Sequence, residues 1–178
     1  MKIKLLALTF SIFSVGLLAQ DTPAEPEFVN QYFVLNDGKL QRLENATLKM
    51  QSKTSNRFVM VKGTTSEVVD GTQSPVRVAP DAHFIVRMQT GDIDPTTMIH
   101  LKQFKVGKND RELLMHSGGA VIFAGTKSKG ADDTSIPISV KKYGSKSLEV
   151  TPSQPLAPGE YFFSAMGMEA DCFSVGAK

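Results

Sequence analysis

With one cysteine and no tryptophan in 178 residues, the chain excludes several chemistries at the outset. Cys172 has no intrachain partner, so no disulfide can brace the fold and a hydrophobic core must carry its stability. It lies in Ala170-Asp171-Cys172-Phe173-Ser174-Val175, with no basic neighbour to lower its pKa, which reads as a buried structural thiol. A charge excess is missing as well. The chain holds 20 Lys+Arg against 18 Asp+Glu, and removing Lys2 and Lys4 with a leader-like start leaves eighteen of each. That balance removes the electrostatic reason to expect a nucleic-acid partner. After residue 19 no apolar run approaches the roughly 20 residues of a membrane span, so no transmembrane anchor is expected.

Catalytic signatures are equally scarce. There is no Gly-x-Ser-x-Gly elbow. Ser139-Val140-Lys141-Lys142 matches Ser-x-x-Lys, but on a strand those two side chains point to opposite faces. His116-Ser117 diverge for the same reason. Asp92-Ile93-Asp94-Pro95 lacks the glycine and distal glutamate of a calcium loop and reads as a turn, and Asp132-Asp133 reads as a solvated loop. No cofactor is expected.

What is present begins with a secretory pattern. Lys2 and Lys4 precede the apolar stretch Leu5 to Leu18, and Ala19 offers a small residue for cleavage, so residues 1–19 read as a signal peptide. Residues 20–27, with Pro23 and Pro26 among acidic residues, read as a flexible tether. The product is expected to be extracytoplasmic, either periplasmic or secreted.

From Phe28 the chain alternates short β-segments with turn chemistry. Asn36-Asp37-Gly38 marks a tight hairpin, Gly144-Ser145 another, and residues 160–175 a closing one. His83 to Met88 is rich in β-branched and aromatic residues. Met98 to Val106, turned by Gly107 to Asp110 and returning as Arg111 to Met115, reads as a long hairpin. In that hairpin His100 would stand across from His116, two imidazoles about 5 Å apart, while His83 would fall near Gln103. Two ligands make a poor metal site, so His100 and His116 are weak metal candidates. Residues 117–135 read as the leading functional loop. Within it Val121, Ile122 and Phe123 form either an extra strand or a contact patch, and Lys127 and Lys129 add local positive charge.

A resemblance enters at the C-terminal third. Leu148-Glu149-Val150-Thr151-Pro152, followed by Pro155-Leu156-Ala157-Pro158-Gly159-Glu160-Tyr161-Phe162-Phe163, resembles the last strands of bacterial immunoglobulin-like and fibronectin type III-like domains. The whole chain also resembles exported bacterial proteins ending in a Pro-Gly-Glu-Tyr hairpin. The resemblance implies structural roles for four residues. Leu156 would plug the end of a sandwich, Pro158-Gly159 would force the turn, and Tyr161 would bury its ring and bond to backbone between Pro152 and Pro158. Glu160 would face solvent.

The expected fold is therefore all-β: an immunoglobulin-like β-sandwich over residues 76–178 with an N-terminal β-hairpin appendage over 28–75. A single core is preferred, because only the short stretch from Asp70 to Pro75 separates the two. The expected function is a non-catalytic binding or structural module of the bacterial envelope, its partner an envelope protein or a glycan. The alternatives are a small metal-dependent hydrolase using His100 and His116, and a carbohydrate-binding accessory domain. The latter is disfavoured by three tyrosines and no tryptophan as sugar platforms.

Overall fold

The structure, a computed structural model, describes residues 23–57, 60–121, 125–130, 134–164 and 168–176. The signal-like residues 1–19 lie outside the described residues. Among the described residues sixteen strands follow one another, beginning with β1 (Tyr32–Asn36), β2 (Lys39–Arg42), β3 (Glu44–Thr47), β4 (Lys49–Arg57) and β5 (Met60–Asp70). Next come β6 (Arg77–Val78), β7 (His83–Arg87), β8 (His100–Gln103), β9 (Lys105–Val106), β10 (Asp110–Val121) and β11 (Gly125–Lys129). The last are β12 (Ser135–Ile136), β13 (Ile138–Tyr143), β14 (Ser147–Pro152), β15 (Gly159–Ser164) and β16 (Glu169–Val175). Among the described residues the only helical element is a 3-10 turn, Pro95–Thr97, capped by the Asp94 side chain. No helix among them is long and apolar enough to cross a membrane.

The protein is all-β and its core is a β-sandwich. One sheet runs in the order β13-β14-β7-β1-β2, the other β12-β8-β15-β16-β3, with β6 alongside β16 in parallel. Their facing side chains form one buried cluster. Tyr32 stacks on Phe163 with ring centroids 4.3 Å apart, Phe84 meets Phe163 edge-on at 5.0 Å, and Tyr161 stacks on Phe173 at 5.6 Å. Such rings bury large apolar areas and prefer these geometries. The β1–β2 hairpin turns at Asp37 (φ 48°) and Gly38 (φ 76°), the paired positive φ values of a two-residue turn. Tyr32, Val34 and Leu43 from its neighbourhood sit in the same cluster as Phe84 and Phe173. The segment 28–75 thus supplies β1 and β2 to one sheet, β3 to the other, and β4 and β5 to a third.

That third sheet, β11-β10-β5-β4 with β9 beside β10, grows from two interruptions of the sandwich: the chain between β3 and β6, and the chain between β8 and β12. It covers the outer face of the β15–β16 hairpin. Leu48, Val69, Phe104 and Leu113 pack there on Phe162, Ala170 and Cys172, with Phe104 and Phe162 stacked at 4.1 Å. Strand side chains alternate between faces, so β15 sends Tyr161 and Phe163 into the sandwich and Glu160 and Phe162 toward the third sheet. Both of its faces are buried.

Three expectations change here. Residues 117–135 are not mainly a loop: β10 continues to Val121 and pairs with β5 along its length, then returns as β11. Ile122 and Phe123, like Asp132 and Asp133, lie outside the described residues. The long hairpin from Met98 to Met115 shrinks to two pairs, Arg111 with Val106 and Glu112 with Lys105. At Phe104 the chain leaves β10 and its amide bonds to the Glu160 carbonyl at 2.9 Å, because the Phe104 ring is buried against Phe162. The described part of the expected tether is held. The Glu25 carboxylate accepts the Ser145 and Lys146 amides, each at 2.8 Å, and the Ser147 hydroxyl at 2.6 Å.

Candidate functional site

The switch at Phe104 separates the two histidines proposed as metal ligands. His100 stands opposite Ser164 in the β8–β15 ladder, whereas His116 stands opposite Thr65 in the third sheet. Both are exposed, and they share no sheet. His83 is not near Gln103 either: its strand lies between β1 and β14, and its Nδ1 contacts the Glu149 carboxylate. Among the described residues no cluster of three His, Cys, Asp or Glu is arranged to hold a metal. His116 Nε2 lies 3.4 Å from the Ser128 hydroxyl, but among the described residues no carboxylate is bonded to Nδ1 to orient the ring as a base.

The residues singled out at the C-terminal turn do come together. Leu156 is buried in the sandwich cluster and its amide donates to the Pro80 carbonyl at 2.8 Å. Pro158 precedes Gly159, the first residue of β15. Tyr161 is buried and its hydroxyl donates to the Ala157 carbonyl at 2.7 Å, inside the stretch from Pro152 to Pro158. Glu160 is the exception. It is 5% exposed rather than solvent-facing, because the third sheet covers its side of β15.

A buried polar network fills that junction. Glu160 accepts the Ser74 amide at 2.8 Å and the Ser174 hydroxyl at 2.6 Å. Arg111, at the start of β10, is fully buried. It donates to both Glu44 oxygens, at 2.8 and 2.9 Å, and to the Gly71 carbonyl at 3.2 Å, with Glu160 at 3.7 Å. Burial alone would lower the Arg111 pKa, but the Glu44 carboxylate holds it above its ordinary value. Burial also pushes the Cys172 thiol up to about 12, so it is protonated and unreactive at neutral pH. This network fixes how the third sheet stands on the sandwich.

Above it, the third sheet presents a charged groove of about 420 Å³. Its walls come from β4, β5, β10 and β11 on one side and from Gln103, Lys105 and Thr134 on the other. The pairing register explains its composition. Lys53 stands opposite Thr64, Thr64 opposite Ser117, and Ser117 opposite Lys129, so one row across four strands ends in a lysine at each side. The next row holds Ser55, Lys62, Gly119 and Lys127. Among the described residues four lysines line the groove (53, 62, 105 and 129) with one acid, Glu112, which lies 3.5 Å from Lys53. Thr134 Oγ1 is buried there and, among the described residues, has no hydrogen-bond partner. Of the suspected contact residues, Lys127 and Lys129 are exposed on β11 and Val121 ends β10. Sequence inspection missed the other lysines, since Lys53, Lys62 and Lys105 gain meaning only through long-range pairing. No protein-family profile, curated protein or solved structure matches this chain.

Proposed function

We propose that the chain is an exported, immunoglobulin-like, non-catalytic binding module of the bacterial envelope, and that its third sheet is the binding face. Strand order supports the immunoglobulin-like reading. The order β1-β7-β14-β13 against β16-β15-β8 follows the A-B-E-D against G-F-C arrangement of such domains, and the Tyr161 hydroxyl bond follows their tyrosine corner. The observation that carries the binding reading is the groove. In a chain of nearly balanced charge, positive side chains from four separate strands converge on one concavity, where binding sites are usually found. Export rests on the leader-like residues 1–19.

Expressing the full chain in a bacterium and fractionating the cells tests this. The expected product begins at Gln20, lies outside the cytoplasm and is retained by the envelope fraction. An intact N-terminus in the cytoplasmic fraction overturns the reading.

A further inference from the structure

We infer that the groove takes a linear anionic polysaccharide, a hydrophilic chain bearing carboxylate, phosphate or sulfate groups at regular intervals; this rests on the binding-module reading above. The lysines set the sign of the ligand. Lys53 and Lys129 terminate one cross-strand row, about 14 Å apart over three strand spacings, and Lys62 lies one residue pair further along. Lysine is a flexible point charge that does not demand the planar bidentate geometry arginine would. Repeated charge along a chain suits it better than one fixed carboxylate.

The remaining lining selects the polymer. Thr64, Ser66 and Ser117 offer hydroxyls along the floor, and the buried Thr134 hydroxyl is unpartnered among the described residues. Among the described residues no aromatic ring lines the groove. Single-stranded nucleic acid needs such rings for base stacking, and neutral sugars use exposed rings as platforms. A protein partner needs a buried aromatic, arginine or large aliphatic anchor, and among the described residues Leu113 and Leu114 are the only large aliphatic side chains in the lining.

Calorimetric titration of the purified mature chain with polygalacturonate, dextran sulfate, neutral dextran, poly-L-glutamate and phosphatidylglycerol vesicles tests the assignment. The two charged polysaccharides are expected to bind at 50 mM NaCl and dextran not to, and a preference for either names the anionic group. Lys62→Glu is expected to weaken binding about tenfold and to flatten its salt dependence, whereas Lys39→Glu, on β2 away from the groove, leaves it unchanged. Circular dichroism checks that both variants fold. Equal weakening by Lys39→Glu, equal affinity for poly-L-glutamate, binding only to phosphatidylglycerol vesicles, or no binding at all overturns the inference. Envelope retention that persists without polysaccharide binding defeats only this ligand; loss of retention with binding intact defeats the envelope assignment instead.

Discussion

Arg111 grips Glu44 through two parallel hydrogen bonds, Nη1 to Oε2 at 2.8 Å and Nη2 to Oε1 at 2.9 Å, across the seam between the third sheet and the sandwich. The arginine side chain is 1% exposed and the glutamate 21%, so the pair is largely out of water. Bidentate geometry and the Gly71 and Asp70 carbonyls satisfy the guanidinium, which is what makes a buried cation tolerable.

Removing only the cation leaves Glu44 and Glu160 facing a hole. Arg111→Met is expected to cost about 3–5 kcal/mol in urea unfolding. The double variant Arg111→Met with Glu44→Gln should recover part of that loss, because one of the stranded carboxylates is neutralised. A double variant no better than the single one would show that the two side chains are not coupled.

The corner at Tyr161 gives a second comparison. Tyr161→Phe deletes the hydroxyl that reaches Ala157 and is expected to cost about 1–2 kcal/mol. Leu156→Ala empties a buried site in the same turn and should cost about 2–5 kcal/mol. Glu160→Gln, neutral on the sequence expectation, should now cost about 1–3 kcal/mol, since its carboxylate is bonded to Ser74 and Ser174. Chemical denaturation of the three variants decides, and a neutral Glu160→Gln would contradict the burial.

Asp171 supplies a pH signature. It is 2% exposed and its Oδ1 has no partner among the described residues. Burial pushes its pKa up to about 6, against the Tyr32 backbone hydrogen bond and the nearby Arg42 charge. A carboxyl whose folded pKa is raised favours folding while protonated, and that contribution is lost as pH climbs through about 6. Asp171→Asn should therefore gain about 1–3 kcal/mol over the wild type at pH 8 and lose the advantage near pH 4. Melting curves at both pH values measure it; a gain independent of pH rejects the titration.

Glu25 behaves in the opposite sense. Its pKa is lowered to about 2, chiefly by the Ser147 hydroxyl and the Ser145 amide. Its hold on the β13–β14 turn is therefore present above the ordinary carboxylate range and lost as pH falls through about 2. Hydrogen exchange at the Ser145 and Lys146 amides should accelerate in Glu25→Ala at neutral pH. Unchanged protection would mean that the carboxylate does not pin the turn.

Much of the sandwich was legible locally. Asp37-Gly38 and Gly144 sit at positive φ where their turn chemistry implied, and the spacing from Leu156 to Tyr161 delivered the hydroxyl to the expected backbone. The third sheet was not legible, because its register depends on partners such as Lys53 with Thr64 and Gly118 with Gly63 that no local rule specifies. Strand β10 beyond His116 and strand β11 carry little apolar alternation, so Ser117 and the residues after it resembled a loop. One signal was available for Glu160. Tyr161-Phe162-Phe163 is a run of aromatics without alternation, which marks a strand covered on both sides. The same covering explains why Arg111, read from sequence only as the start of a returning hairpin strand, is fully buried.

Strand β16 is the last described strand to be synthesised, yet it lies inside its sheet, flanked by β15 and β3 and touched in parallel by β6. A ribosome or a translocation pore releases the chain from its beginning, so β3 and β6 emerge more than ninety residues before the partner they both require. Neither the centre of the β12-β8-β15-β16-β3 sheet nor the layer stacked on it can close until Glu169–Val175 arrives. Contacts so distant in sequence delay closure through the entropy of the intervening loop. Closure of these layers therefore waits on the delivery of β16, and a chain halted short of it leaves β3 and β6 without their partner.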